Sequence, residues 1–253
     1  NCALDFGARL IGRLLLHLCN NTFLTSKLMR SMQRCCVDML GFGVELHFVG
    51  KANSLPEKSN YQKMLDGDSY NGVDTSLLEM QKLAQRRMVL LDKISTEDVE
   101  ARMEALEGIV GSMDGPSIIV PPFHIEYGVH IHLGKWVFIN KGATFLDSNR
   151  ITIGDNSLIG PNVQFLTVSH PIKPEERLIP LKSGGFPPFE GRCIARPITL
   201  GKECWIGAGA ILMPGITIGA GTVVGAGSVV TKSLPERVVA YGNPAQVMRS
   251  VDS

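Results

Sequence analysis

Aliphatic side chains recur every six residues along the C-terminal half of the chain, and glycine directly follows four of them. The repeating positions are Leu200, Ile206, Leu212, Ile218, Val224 and Val230. A period of six fits neither an α-helix, with 3.6 residues per turn, nor a long two-residue alternation. It is typical of a triangular parallel β-helix, in which each hexad forms one short face and stacked coils bury a continuous aliphatic ladder. We therefore predict a mainly β fold built of hexapeptide repeats.

Two earlier blocks extend the repeat towards the N-terminus. The inward positions predicted for them are Ile153, Ile159 and Phe165 in one block, and Ile125, Ile131, Val137 and Ala143 in the other. The phase between the blocks predicts about four inserted residues near Ser148–Arg150. A larger break, over residues 171–197, is rich in proline and glycine and predicts a loop that projects from the coils.

Helical periodicity precedes the repeat. Ser76 followed by Glu79 predicts a capping box, and Thr96 is predicted to open a second helix. The apolar faces predicted for the two helices are Met80, Ala84, Met88 and Leu91, and Val99, Met103, Leu106 and Val110. We predict three regions: an unplaced extension over 1–59, a small helical module over 60–115, and a β-helix domain over 116–253 with the loop at 171–197.

Composition narrows the class of partner. The net charge is +1, from 25 Lys+Arg and 24 Asp+Glu, which favours neither a nucleic acid nor a membrane surface as partner. No apolar run approaches the roughly 20 residues of a membrane span.

The six cysteines show no CxxC spacing and suggest free thiols in a reducing compartment, so we predict a cytoplasmic protein. The basic bias of 1–59 is typical of an organelle presequence or of a poorly specified extension, and we prefer the second interpretation.

Many residues between about 60 and 250 match one known family. The matching runs are Tyr61-Gln62-Lys63-Met64-Leu65, Pro121-Pro122-Phe123, Tyr127-Gly128, Ile131-His132-Leu133-Gly134, Asn140, Phe145-Leu146-Asp147, Ile153-Gly154-Asp155-Asn156, Gly160-Pro161-Asn162-Val163, Ser169-His170-Pro171, Glu175-Glu176-Arg177, Pro197-Ile198-Thr199, Trp205-Ile206-Gly207, Pro214-Gly215, Gly225-Ala226-Gly227-Ser228-Val229-Val230-Thr231-Lys232 and Gly242-Asn243-Pro244-Ala245. Together they resemble the maltose and galactoside O-acetyltransferase family. The resemblance implies left-handed coils, a homotrimer, acetyl-CoA in the groove between subunits, and a sugar hydroxyl, such as one of maltose or glucose, as the acceptor.

Within that resemblance His170 is the candidate catalytic residue. It stands where the chain leaves the coils, next to Pro171. A sugar hydroxyl is a weak nucleophile, and imidazole, with an unperturbed pKa of about 6.5, can remove its proton as the oxygen attacks the thioester. A backbone N–H at a coil corner, such as that of Ala208, is expected to stabilise the oxyanion. We expect direct transfer without an acyl-enzyme.

The resemblance also suggests which residues bind the two substrates. Asn140 and Asp147 match acceptor-pocket positions, and Glu190 is the candidate carboxylate that orients the base. The galactoside branch has a second carboxylate where Ser148 stands here, which argues against galactosides as acceptors. The residues that match the coenzyme site are Trp205, Ala208, Ala226, Thr231, Lys232 and Arg249. Gln246 stands where the family often has a basic residue.

Two other functions share this kind of prism. A metal enzyme like the gamma carbonic anhydrases needs three histidines across neighbouring coils, and the candidates are His170 with the His130/His132 pair and His124. No acidic or thiol ligand accompanies them at a suitable spacing, so we predict no metal site. A non-catalytic scaffold is the other alternative. Loss of activity on replacing His170, together with protection by acetyl-CoA against thermal unfolding, distinguishes an enzyme from a scaffold.

Overall fold

The computed structural model describes residues 57–181, 184 and 186–253. Residues 1–56 of the predicted extension lie outside the described residues, and with them Cys2, Cys19, Cys35, Cys36, His17 and His47. Three α-helices come first among the described residues, in the region where the helical module was predicted. They are α1 (Asn60–Asp66), α2 (Thr75–Asp92) and α3 (Val99–Glu107).

The helices begin at caps that differ from those predicted. At α1, Ser59 and Gln62 form a complete capping box. The predicted start at Ser76 is wrong, because the Asp74 carboxylate accepts the Ser76 amide at 3.0 Å and caps α2 earlier. The predicted start at Thr96 is also wrong, because Asp98 caps α3 by accepting the Ala101 amide at 3.0 Å. An Asp cap satisfies the free amides of a first turn as well as serine does.

Short strands make up nearly all of the remaining regular structure. In chain order they are β1 (Tyr70–Asn71), β2 (Ser112–Met113), β3 (Ile118–Ile119), β4 (His124–Ile125), β5 (Ile131–Leu133), β6 (Phe138–Ile139), β7 (Thr144–Leu146), β8 (Ile151–Ile153), β9 (Leu158–Ile159), β10 (Gln164–Leu166), β11 (Val168–Ser169), β12 (Leu178–Pro180), β13 (Phe189–Ala195), β14 (Ile198–Leu200), β15 (Trp205–Ile206), β16 (Ile211–Leu212), β17 (Thr217–Ile218), β18 (Val223–Val224), β19 (Val229–Val230), β20 (Val238–Gly242) and β21 (Ala245–Ser250). A short 3₁₀ helix spans Pro174–Glu176.

The strands of the coils form three parallel faces. The first face has the order β17-β14-β8-β5-β2, the second β21-β20-β18-β15-β9-β6-β3, and the third β19-β16-β10-β7-β4. Only β21 runs antiparallel, as the return strand of a hairpin with β20. This arrangement confirms the predicted mainly β fold, a parallel β-helix of about six coils.

Aliphatic and aromatic side chains stack in register inside the coils. On the third face Ile125, Phe145, Phe165, Leu212 and Val230 succeed one another, and each is at most 6% exposed. The rings of Phe145 and Phe165 stack with centroids 4.9 Å apart. Each coil therefore covers the apolar surface of the next, as the six-residue period predicts.

The phase predicted for the first block is off by two residues. The residues that stack on Ile153, Ile159 and Phe165 are Leu133, Ile139 and Phe145. The predicted Ile131, Val137 and Ala143 are buried too, but each lies two positions earlier in its hexad. The extra residues are thus divided between two places. Leu133 lies eight positions after Ile125, and Ile153 lies eight positions after Phe145, whereas a regular repeat advances by six.

The segment predicted as a projecting loop is more ordered than its proline and glycine content indicates. Within it, β13 pairs antiparallel with β1, β11 and β12. The strand β13 thus joins the helical region, through β1, to the point where the coils are interrupted at β11.

Asn149 fixes α1 against this junction. Its side-chain amide donates to the carbonyls of Met64 at 2.9 Å, Leu65 at 3.1 Å and Ala195 at 3.3 Å. The residue is only 4% exposed, so these bonds satisfy an amide that would be costly to bury alone. The contact places Tyr70, which follows α1, beside the strand that carries Cys193.

Candidate active site

His170 follows β11, at the point where the chain leaves the third coil. Its side chain is exposed, and its Nδ1 lies 2.8 Å from the backbone carbonyl oxygen of Arg192 on β13. A carbonyl can only accept, so the neutral ring carries its proton on Nδ1 and keeps a lone pair on Nε2. This is the tautomer that a general base needs.

Cys193 lies behind the imidazole. Its Sγ is 3.7 Å from His170 Nδ1, and the residue is 8% exposed. Burial raises the pKa of the Cys193 thiol, with a smaller contribution from the charge of Glu126. The thiol is therefore neutral at ordinary pH and is a poor nucleophile.

Glu190 makes no hydrogen bond to His170 among the described residues. Its carboxylate pairs with the Arg192 guanidinium at 2.6 Å, and both side chains are about 30% exposed. The group that holds His170 Nδ1 is the Arg192 carbonyl, so Glu190 is linked to His170 through Arg192. The Nε of Arg192 is buried without a partner among the described atoms. A direct orienting role for Glu190 stays a prediction.

Asp147 is completely buried at 0% exposure. Its Oδ1 accepts the backbone amides of Glu126 at 3.0 Å and Tyr127 at 2.9 Å. Its backbone carbonyl lies 2.5 Å from His130 Nδ1. These bonds make Asp147 a brace for the turn after β4, and the predicted contact with an acceptor hydroxyl stays a prediction.

Burial of Asp147 predicts a measurable pH dependence of stability. Desolvation raises the pKa of its carboxyl, although the two amides partly oppose the shift. A raised pKa in the folded protein means that this group stabilises most when protonated, and that its contribution is lost as pH rises through the folded pKa. We expect Asp147→Asn to gain stability relative to the wild type as pH rises through the acidic range, in urea unfolding at several pH values. Asp114→Asn, at an exposed position, is measured alongside as the control. A constant difference between Asp147→Asn and the wild type across pH would contradict the assignment.

A carboxylate that sequence reasoning missed lies beside this brace. Glu126 is half-buried; one of its oxygens accepts the Ser148 hydroxyl at 2.8 Å, and the other accepts the Gln81 amide at 3.0 Å. Burial raises the pKa of the Tyr70 hydroxyl, and Ser148 partly opposes this shift. We call Tyr70, Gln81, Glu126, Ser148 and Cys193 the polar wall. One feature of the sequence could have indicated Glu126: it is a charged residue directly after the inward-facing Ile125 and before the Tyr127-Gly128 turn.

The remaining predicted site residues are spread along the outside of the coils. Asn140 is half-buried after β6, and its side-chain oxygen accepts the Lys141 amide at 2.8 Å. Trp205 is 57% exposed on the second face. The other predicted coenzyme residues are all exposed: Ala208, Ala226, Thr231, Lys232 and Arg249.

Ala208 and Ala226 occupy equivalent corners of successive coils. A Cβ added at Gly207 would lie 2.5 Å from the Ala226 nitrogen, so only glycine lets these corners stack so closely. The corners form one edge, next to the face that carries Trp205. The guanidinium of Arg249 donates hydrogen bonds to the carbonyl oxygens of Ser250 and Ser253.

The histidines considered as metal ligands have other contacts. His130 packs against Tyr61 and Tyr127, and its Nε2 lies 3.3 Å from the Tyr61 hydroxyl. His132 Nδ1 lies 3.0 Å from the Ser112 hydroxyl. Within residues 57–181, 184 and 186–253, no group of three His, Cys, Asp or Glu side chains is arranged to hold a metal ion. Over the same part of the chain, no helix is both long and apolar enough to cross a bilayer.

Comparison with known proteins identifies relatives over most of the chain. A family profile described as bacterial transferase hexapeptide (six repeats) matches residues 197–232. The galactoside O-acetyltransferase of Lactococcus lactis subsp. lactis is 31% identical, over 78% of this chain and 91% of its own length. A maltose O-acetyltransferase from Clostridium difficile 630 superposes with a TM-score of 0.69 at 35% identity, over 76% of this chain and 97% of that one. A galactoside acetyltransferase in complex with coenzyme A gives the same TM-score of 0.69 at 32% identity, over 77% and 92%.

Proposed function

The chain belongs to the galactoside and maltose O-acetyltransferase family, whose left-handed β-helix it shares, and from this premise we propose that it transfers the acetyl group of acetyl-CoA to a hydroxyl of a sugar such as maltose or glucose. The chain is an acetyl-CoA-dependent acetyltransferase; the sugar and the catalytic base are the proposal. The observation that carries it is the hydrogen bond from His170 Nδ1 to the Arg192 carbonyl.

His170 acts as the general base. With Nδ1 held by the carbonyl, Nε2 is the basic atom and faces away from β13. It takes the proton of the acceptor hydroxyl while that oxygen bonds to the thioester carbon. The imidazolium then returns the proton to the departing sulfur, so the products are an acetyl ester and free coenzyme A. Transfer is direct, and the buried, neutral thiol of Cys193 supports this by offering no thiolate to form an acyl-enzyme.

The coil corners supply the groups that bind the coenzyme and stabilise the oxyanion. Ala208 is exposed, which supports a role for its backbone N–H as the donor to the developing oxyanion. Trp205, Ala226, Thr231 and Lys232 bind the coenzyme, and their exposure leaves them free to do so. Arg249 joins them by exchanging the carbonyls of Ser250 and Ser253 for a coenzyme phosphate. Asn140 binds a sugar hydroxyl, and Glu190 steadies the base through Arg192.

A panel of acceptors tests this function. Purified protein is incubated with acetyl-CoA and maltose, glucose, a galactoside or a non-sugar alcohol, and released thiol is measured. We expect turnover of at least one sugar, with an acetyl ester identified by mass spectrometry and NMR. Acetylation of a simple amine with no turnover of any hydroxyl compound would refute the proposal.

The protein assembles as a homotrimer through the second face. Large apolar side chains stand in register on its outside, with Ile118 52%, Phe138 37%, Leu158 52% and Trp205 57% exposed. An apolar row of this length is typical of a subunit interface. It runs beside the corners assigned to the coenzyme, which supports a site shared between two subunits.

Disrupting this row should separate the subunits. We expect Leu158→Glu to convert the trimer to a monomer in analytical ultracentrifugation and to abolish protection by acetyl-CoA against thermal unfolding, because a charge in the row opposes its burial. Leu90→Glu is the matched control, since Leu90 is 61% exposed on α2. A Leu158→Glu protein that stays trimeric would show that the interface lies elsewhere.

A further inference from the structure

The polar wall carries a negative charge without a counter-ion. Both donors to the Glu126 carboxylate, Gln81 and Ser148, are neutral groups. Within the described part of the chain, no Lys, Arg or His lies at salt-bridge distance from Glu126. The guanidinium of Arg192, on β13, is paired with Glu190.

The nearest ionisable neighbours of Glu126 do not compensate its charge. Asp147, which braces the same turn, is a second buried acid, and its Oδ2 has no partner among the described atoms. Tyr70, Tyr127 and Cys193 are neutral groups whose pKa is raised, first by burial and then in part by the charge of Glu126. Each of these four neighbours is therefore neutral or acidic.

The polar wall adjoins the imidazole of His170. Ser148 donates to Glu126 and opposes the rise in the pKa of Tyr70, and Tyr70 pairs across the strands with Cys193. The Cys193 thiol in turn lies 3.7 Å from His170 Nδ1. Glu126 is half-buried, so part of it is open to a ligand. The polar wall therefore extends from the Glu126 carboxylate to the imidazole of His170.

We infer that the preferred acceptor is a hydroxyl compound that also carries a protonated amine, such as an amino sugar, whose ammonium group binds Glu126 while a hydroxyl faces His170. This inference rests on the proposed function and adds the class of acceptor. A half-buried carboxylate without a counter-ion is unfavourable, and desolvation raises the pKa of Glu126 accordingly. An ammonium group offsets that cost and adds a charge-assisted hydrogen bond.

The chemistry remains O-acetylation. A protonated amine has no lone pair and does not attack the thioester, so the bond forms at the hydroxyl oxygen. The hydroxyl proton passes to His170 and then to the leaving sulfur, and the ammonium keeps its own proton throughout.

Kinetics with matched sugars test the inference. We compare glucosamine, glucose and N-acetylglucosamine as acceptors at about pH 7, and locate the acetyl group by NMR. A hydrogen bond to a charged group predicts a kcat/KM for glucosamine at least about tenfold above that for either neutral sugar. In Glu126→Gln, which keeps the shape of the side chain, that ratio should fall to near one. Glu104→Gln, at an exposed position on α3, should keep the wild-type ratio.

The wild-type comparison does not depend on how the variant folds. Equal kcat/KM values for the three sugars, or a preference that survives in a folded Glu126→Gln protein, would overturn the inference and leave the proposed function intact. A wild-type protein that acetylates none of the three, nor any other hydroxyl compound, overturns both.

Discussion

Replacing His170 with alanine should lower kcat for acetyl transfer by about 10²–10⁴-fold, the usual contribution of a positioned general base. The melting temperature should change little, because the side chain is exposed and makes one hydrogen bond to a backbone carbonyl. The Michaelis constant for acetyl-CoA should also change little, since the imidazole acts on the acceptor proton. Thiol release under saturating acetyl-CoA measures the effect.

His124→Ala is the matched control, because His124 is also exposed and lies on the first coil. It should retain wild-type kinetics. A His170→Ala protein with kcat within a few-fold of the wild type would remove His170 from the mechanism. Activity of His170→Asn is informative as well, because the amide nitrogen can still donate to the Arg192 carbonyl but offers no base.

Replacing Phe165 with alanine should lower the free energy of unfolding by about 3–5 kcal/mol, as for other buried phenylalanines. The side chain is 0% exposed and stacks on Phe145, so its loss leaves a cavity in the middle of the ladder. Denaturant unfolding followed by circular dichroism measures the change. Because neighbouring coils stabilise each other, the loss should affect the whole β-helix.

Phe186→Ala is the control for this substitution, since Phe186 is 99% exposed in the segment between β12 and β13. It should unfold at the wild-type denaturant concentration. Equal effects of the two substitutions would mean that the ladder does not carry the stability assigned to it.

The regular coils were predictable because the six-residue period appears directly in the side chains. The phase of the first block could not be predicted in the same way. Each hexad buries two positions, and in the first block both positions carry apolar residues, as at Ile131 and Leu133. Hydrophobicity alone cannot tell which of the two joins the ladder. The predicted helix starts were wrong for a related reason. Asp74 and Asp98 lie near Ser76 and Thr96 and are equally suitable as N-caps, so the sequence alone did not distinguish them.

The sequence indicated candidate site residues, but it did not indicate which groups those residues contact. His170 was found by resemblance, but the group that fixes its tautomer is the main-chain carbonyl of Arg192, which no side-chain pattern reveals. The order of the segment around β13 depends on pairing with β1, some 120 residues earlier in the chain. Glu126 was missed because its partners, Gln81 and Ser148, are distant in sequence and follow no spacing.

The most direct test of the account is a crystal structure with coenzyme A and the sugar that turns over best. This pair cannot react, so both should remain bound. We expect one sugar hydroxyl within about 3.2 Å of His170 Nε2, with the coenzyme sulfur close to the same oxygen in a groove between two subunits. A sugar bound away from His170, or an Nε2 that faces the protein interior, would contradict it.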